Sequence, residues 1–378
     1  MTRHWAMSLL RPHVGFTRFM ATSTSIDFTP LSTPMSEDAV KAWKAQAKAS
    51  GAGWASMSAG NIIAIVLVIP VAFAFFSIAI SFGVFTFNAA SRSGSTGFVV
   101  FPLIIVLAVI AIIAFAVIKG FGSLSKRWEL WARMDAFAKA NGMTFSPADG
   151  NPAYPGAIFG IGDTRQAIDH LRNVDGRFFD FGNYRYTTGS GKNRSTRTWG
   201  FLAFHLDRRL PNMMLDSKAN NGFFGSNLPA TFDKAQILSL EGDFDTYFTL
   251  YAPKEYERDA LYVFTPDLMA LLIDEASPFD VEIIDDWMFV YSNTAFRTGD
   301  ASLYARLFRI MDTVGAKTLT QTDRYVDERV GDFAANIVAP QGARLKRRVS
   351  VGAIVIGVVF IAFWLWGILG DALQTFSG

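Results

Sequence analysis

Three long uncharged apolar stretches constrain this chain more than any other feature. They are NIIAIVLVIPVAFAFFSIAISFGVF (61–85), GFVVFPLIIVLAVIAIIAFAVI (97–118) and SVGAIVIGVVFIAFWLWGIL (350–369). None contains Asp, Glu, Lys, Arg or His. About 20 apolar residues in one helix are enough to cross a bilayer. Three such stretches do not fit the core of one small domain, so the expectation is three transmembrane α-helices. Pro70 falls inside the first and is expected to kink it without breaking it. The low charge content agrees, 18% against roughly 25% in ordinary soluble domains. The first stretch lies too far along the chain to be a cleaved signal peptide.

The flanking basic residues set an orientation, because Lys and Arg stay on the cytoplasmic side. Lys41, Lys44 and Lys48 precede the first stretch, and Lys119, Lys126, Arg127 and Arg133 follow the second. Arg344, Lys346, Arg347 and Arg348 precede the third, and no basic residue follows it. The expected protein is multi-pass in a plasma membrane. Its N-terminus and main domain are cytoplasmic, and its C-terminus is outside. The seven residues Lys41, Lys44, Lys48, Arg344, Lys346, Arg347 and Arg348 are the candidate contacts to an anionic membrane surface.

The stretches divide the rest of the chain. Residues 1–35 are rich in Ser, Thr and Pro and read as disordered; Met20 and Met35 would serve equally well as starts. Residues 36–56 read as a short amphipathic helix, with Ser36 as cap and Glu37 and Asp38 in the first turn. That helix suits either a membrane surface or plain solvent. The transmembrane hairpin occupies 61–118, and 123–343 forms a domain with its own core. In that domain Trp128, Trp131, Met134 and Phe137 make a helical stripe that Asn141-Gly142 ends. The tryptophans suit both the headgroup level and a core.

Further along, 143–177 reads as loops and short elements. RFFDFGNYRYTTG and RSTRTWGFLAFHL read as two strands around a turn. LPNMMLDSKANNGFFGSNLPATFDKAQILSL reads as loop, LEGDFDTYFTLYAP as a turn followed by a strand, DALYVF as a second strand, and TPDLMALLIDEA as a helix capped by Thr265. FDVEII and WMFVYS read as a hairpin turning at Asp285-Asp286. GDASLYARLFRIMDTVG reads as an amphipathic helix that Asp300 caps and Gly315 ends. The fold class expected is an α+β cytoplasmic domain plus three transmembrane helices.

The run around Gly191-Lys192 invites a phosphate-loop reading, which it fails. Such a loop needs G-x-x-x-x-G-K-[ST] between a strand and a helix. Here Tyr186 stands at the first glycine, Asn193 follows the lysine, and the next residues are β-branched and aromatic. Residues 189–193 instead suit a hairpin turn.

The run LEGDFDTYFTLYAPKEYERDALYVFTPDLMALLID, with Phe244, Phe248 to Tyr251, Ala260 to Phe264, Thr265, Pro266, Met269 and Asp286 to Tyr291, resembles a family of uncharacterised bacterial membrane proteins. The resemblance implies a soluble domain attached to membrane spans and implies no activity.

No catalytic, cofactor or metal constellation stands out. The chain has no cysteine, which excludes thiolate chemistry and cysteine metal sites. The net charge of +2 gives no reason to expect nucleic acid. Glu241, Asp243 and Asp245 suit a polar turn as well as an oxygen-ligand cation site. Asp169-His170 and His205-Leu-Asp207 offer acid–base pairs with no nucleophile setting beside them. The expected function is a membrane-tethered cytoplasmic binding or scaffold domain, its partners the lipid bilayer and a protein. The alternative is a hydrolase-like enzyme with a dispersed active site.

Overall fold

The computed structural model describes residues 25–51, 126–222, 226–228, 230–332 and 335–348, and a few positions between 77 and 108. The chain divides into two compact units, one built mainly from 26–141 and 145–149, the other from 142–144 and 150 onward.

The first unit holds α1 (Thr29–Ser32), α2 (Glu37–Ala49), a helix α3 over 126–140 and most of β1 (Met143–Asp149). Ser36 caps α2 by accepting from the Ala39 amide, as its sequence dictates. Aromatic rings join the helices. Trp43 meets Trp128 edge-on at 6.1 Å, Trp128 meets Trp131 at 5.3 Å, and Phe28 stacks on Phe137 at 5.7 Å. The Trp43 indole donates to Asp135 at 3.0 Å. The tryptophans thus pack against one another within this unit. Residues 27–33, expected without structure, are held by Asn141 on Asp27 and by Arg133 on the Leu31 carbonyl.

The second unit is a mostly antiparallel sheet plus helices. Its strands are β2 (Asp163–Asn173), β3 (Phe179–Thr188), β4 (Ser195–Ser217), β5 (Thr231–Phe232), β6 (Ile237–Leu238), β7 (Phe248–Tyr251), β8 (Asp280–Ser292) and β9 (Arg347–Arg348). The long β4 organises them. One edge pairs with β3 and then β7, the other with β8 along most of its length. β2 extends the sheet beyond β3, β6 beyond β7, and β5 pairs separately with β9.

Alternation along the strands splits two cores. Phe179 and Phe181 face Tyr304 and Phe308 of the helical run 301–322. Tyr184, Tyr186, Trp199, Phe201, Phe289 and Tyr291 face the opposite way, covered by the irregular segment 154–161. That second core is where the polar cluster described below sits.

Several sequence expectations are corrected. Among the described residues no helix is long and apolar enough to cross a membrane. A span needs a continuous helix of about 20 apolar residues. The longest described helical run, 301–322, carries Arg306, Arg309, Asp312 and Lys317. The three-helix membrane architecture and the multi-pass plasma-membrane localisation are therefore not supported, and the fold is a mostly antiparallel sheet plus helices. The apolar stretches 61–85, 97–118 and 350–369 lie largely or wholly outside the described residues.

The supposed loop at 210–240 begins with the last third of β4 and also holds β5 and β6, and 143–177 contains β1 and β2. The segment DALYVF belongs to a helix α4 (Glu257–Val263) rather than a strand. Tyr256, Ala260 and Val263 are buried at helical spacing, and Glu257 and Asp259 suit the positive helix start. Asp285-Asp286 does not turn a hairpin. β8 runs through, with Asp285 at φ 53, and the register with β4 jumps from His205↔Trp287 to Leu210↔Asp285. The irregularity is a bulge, which bends a strand without ending it. Gly315 does not stop its helix either; a π turn over Met311–Gly315 carries it on to Thr322.

One glycine bears directly on the site. Gly182 in β3 faces a bulge in β2, where Ile168↔Asn183 gives way to Leu171↔Phe181. Two residues, Asp169 and His170, thus oppose one. A Cβ on Gly182 would meet the His170 Cβ, the His170 Cα at 2.5 Å and the Asp169 carbonyl at 2.9 Å. Gly182→Ala is expected to cost about 1–3 kcal/mol, read as a lowered urea midpoint, because backbone has to move. A midpoint within error of the wild type would show that the strands separate freely there.

Candidate functional site

The bulge at Asp169–His170 places the site. Asp169 adopts φ 49, a left-handed conformation that Asp tolerates better than most residues. Its carboxylate accepts from the Thr298 hydroxyl at 2.9 Å, on a different partner from its neighbour. His170 turns to β3, where its Nδ1 lies 2.9 Å from Asp180 Oδ1. The expected pairing of Asp169 with His170 is thus replaced by His170 with Asp180, ten residues away.

Asp180 is the hub of a buried network. Its Oδ2 accepts from Arg172 Nε at 2.8 Å and from the Tyr154 hydroxyl at 2.6 Å. Asp180 is 0% exposed and His170 1%. Burial by itself would raise the Asp180 carboxyl; hydrogen bonding and charge from His170, then Arg172 and Tyr154, outweigh it and hold Asp180 below its usual value. The Tyr154 phenol is driven far up by burial and then by the Asp180 charge. It therefore stays protonated and donates.

Tyr154 links this network to a set of rings. It lies 5.0 Å from Trp287, 5.1 Å from Phe159, and 6.3 Å from both Phe178 and Phe201. Trp287 in turn meets His205 at 3.8 Å and Phe178 at 5.7 Å. Phe159, Phe201 and Phe289 are buried, whereas Tyr154, Phe178, His205 and Trp287 are each only partly covered. The half-open rings come from β4, β8 and the segments flanking β2 and β3. Opposite register of His205 and Trp287 brings two of them together.

Charged groups border the rings. Arg177 grips Asp207 with two bonds of 2.7 and 2.9 Å. His205 faces Asp286, with Nδ1 at 3.7 Å from its Oδ2, and does not pair with Asp207 as its sequence neighbourhood implied. Among the described residues neither histidine contacts a nucleophilic side chain, and His170 is closed to solvent. The arrangement offers a surface for stacking, with one firmly aimed phenol.

The other sequence candidates lie elsewhere. Asp245 accepts from Ser239 and from the Leu240 amide, the role of a turn-forming carboxylate. Among the described residues no group of three or more His, Asp or Glu is placed to hold a metal ion. The residues 189–193 form the hairpin turn between β3 and β4, in unbroken register from Phe179↔Phe204 to Thr188↔Ser195.

The seven basic residues fall in two sets, one in each unit. Lys41 pairs with Asp38 at 3.4 Å and Glu37 at 3.9 Å, Lys44 sits over the Trp128 ring at 4.6 Å, and Lys48 is exposed. Arg344 pairs with Asp285 at 3.3 Å, while Lys346 and Arg347 are exposed and Arg347 and Arg348 form β9.

The Asp180 network escaped sequence reading because its four members are spread from 154 to 180 and joined only through the bulge. The positive φ at a non-glycine is invisible in the sequence. The ring cluster left a weak signal, since Phe178, His205 and Trp287 each sit in a segment readable as a strand.

No family model matches the chain, and no curated protein matches it. Among solved structures, the crystal structure of the mycobacterial trehalose monomycolate transport factor A, TtfA, is similar at 13% identity and a TM-score of 0.33, over 51% of this chain and 94% of that one.

Proposed function

We propose that this chain is a binding module whose partner docks on the half-open rings Tyr154, Phe178, His205 and Trp287. The observation that supports the reading is the coupling of those rings to a rigid base. Tyr154 is tied to Asp180, itself held by His170 and Arg172, so its ring, against Trp287 and Phe178, is presented in one fixed position. Preorganised aromatic side chains lose little entropy on binding and dominate recognition surfaces. A protein partner fits best, because Tyr, Trp and Phe are enriched where protein surfaces meet. The buried His170–Asp180 pair serves this reading as a support, since its carboxylate is saturated by three donors.

The test uses full-length tagged protein, captured from the cells that make it, alongside Trp287→Ala and Phe178→Ala. Each variant must keep the wild-type circular dichroism. A central aromatic anchor is worth about 2 kcal/mol or more, so the stoichiometric partner is expected to fall by roughly 30-fold in affinity. Equal recovery with all three proteins would remove the rings from recognition.

A further inference from the structure

A second buried polar cluster lies at the other end of β4 and β8. The register Leu215↔Val281 sets Asp216 directly opposite Asp280 at the next position. Side chains facing each other across an antiparallel pair have Cβ atoms about 5 Å apart. Both aspartates are closed to solvent, at 3% and 1% exposure. Neither forms an ion pair with Lys, Arg or His among the described residues. Two like charges so placed, with no counter-charge, are not both stable in a low-dielectric site.

The surrounding bonds tie this pair to a turn. Asp280 accepts from the Ser217 amide at 2.8 Å and from Asn220 Nδ2 at 2.6 Å. Asn220 is itself a junction. Its carbonyl accepts from Asn227 and Asn293, each at 2.6 Å, and its Oδ1 accepts from the Asn293 amide at 3.2 Å. Asp280 thus holds the Ser217–Asn220 turn onto β8 and the segment that follows it. Asp216 Oδ1, by contrast, is buried with no hydrogen-bond partner.

We propose that Asp216 and Asp280 hold one proton between them, and that losing it releases the Ser217–Asn220 turn from β8, making this corner a pH-sensitive latch. Other ionisable groups around the pair do not supply a counter-charge. Tyr251 on β7 has its phenol raised by burial and by Asp216. Glu282 on β8 is raised by burial and is engaged by the Ala157 amide, Tyr291 and Asn212. The Lys218 ammonium in the turn reaches the Asp245 carbonyl instead.

The expected direction agrees with the environment of each carboxyl. Burial pushes Asp280 up to about 7, with the Ser217 amide opposing and the Asp216 charge adding to the rise. Burial also raises Asp216. A carboxyl raised on folding binds more protons in the folded chain between its ordinary value, 3.8, and about 7. Its contribution to stability is therefore fullest below that window and is lost as pH rises through it.

The experiment is amide hydrogen exchange on the full chain at about pH 6 and about pH 8.5, corrected for intrinsic rates. Segments covering 214–222 and 288–294 are expected to exchange about tenfold faster at the higher pH, with the β2–β3 hairpin unchanged. Asp216→Asn removes the like charge while leaving both Asp280 acceptors and the burial of Asp280, so it is expected to weaken the pH dependence and keep protection. Carbon-13 titration of aspartate carboxyls in the unmodified chain is independent of that variant, and expects a carboxyl titrating near neutrality. Exchange that does not change with pH, an Asp216→Asn chain with the same pH dependence, or aspartates that all titrate in the ordinary range would each overturn the latch. Recovery of protection at high pH on adding millimolar calcium or magnesium would also overturn it, assigning the pair to a cation instead of a proton.

Discussion

Asp180→Ala is expected to destabilise the sheet-bearing unit by about 3–5 kcal/mol, and a melting temperature lower by roughly 6–20 °C is the corresponding shift for a unit of this size. The reason is what the carboxylate leaves behind. His170, the Arg172 guanidinium and the Tyr154 hydroxyl all point at Asp180, and His170 is sealed from solvent. Removing the acceptor takes one bond from each of three donors, and a bond lost in a buried site costs desolvation. Asp180→Asn should lose less, because an amide oxygen still accepts, though its NH₂ then faces a donor. The order of melting temperatures, wild type above Asn above Ala, is the check. A loss under about 1 kcal/mol for the alanine variant would mean that water reaches the network and replaces the carboxylate. Since the carboxyl is held below its usual value, it also adds stability at neutral pH that is lost as pH falls through that lowered value.

Phe159→Ala is expected to cost about 3–5 kcal/mol and to weaken partner capture at the same time. Phe159 is 2% exposed and touches Tyr154, Tyr184, Phe201, Phe289 and Tyr291, at centroid distances from 4.6 to 6.4 Å. It lies in a segment without regular strand or helix, so few backbone bonds hold that segment to the sheet. The ring is its main anchor, helped by the Ala157 amide on Glu282 and the Tyr184 hydroxyl on the Phe159 carbonyl. Losing it leaves a cavity and frees Tyr154 to move. Chemical denaturation measures the first effect; hydrogen exchange in 151–161 measures the second. A large stability loss with unchanged exchange across 151–161 would show that the segment is held without its phenylalanine.

Local signals in the sequence succeeded where the cause is local. Ser36 and Asp300 cap their helices through their own side chains, each within three residues. The turn at 189–193 joins β3 to β4 because Gly189 and Gly191 supply positive φ between two β-branched and aromatic runs. The same residues lack the chemistry of a phosphate loop, and Tyr186 is a core side chain at 3% exposure.

Other readings failed where distant contacts decide. Asp259 to Phe264 look like a strand, yet Tyr256, Ala260 and Val263 bury one helical stripe. Asp285-Asp286 looks like a turn, yet β4 runs alongside with its own irregularity and absorbs it. Apolar stretches read as membrane helices depend on continuous helix as well as composition, and no described helix meets both conditions.

By itself, the sequence determined the Ser36 and Asp300 caps, the β3–β4 turn and the alternation that gives the sheet two unlike faces, because each depends on neighbours within a few residues, whereas Thr265, expected to cap, makes no capping bond. Tertiary structure alone decided the bulge that turns His170 onto Asp180, the meeting of His205 with Trp287, and the opposition of Asp216 and Asp280. Those depend on strand register, and register is set by packing summed over the whole sheet.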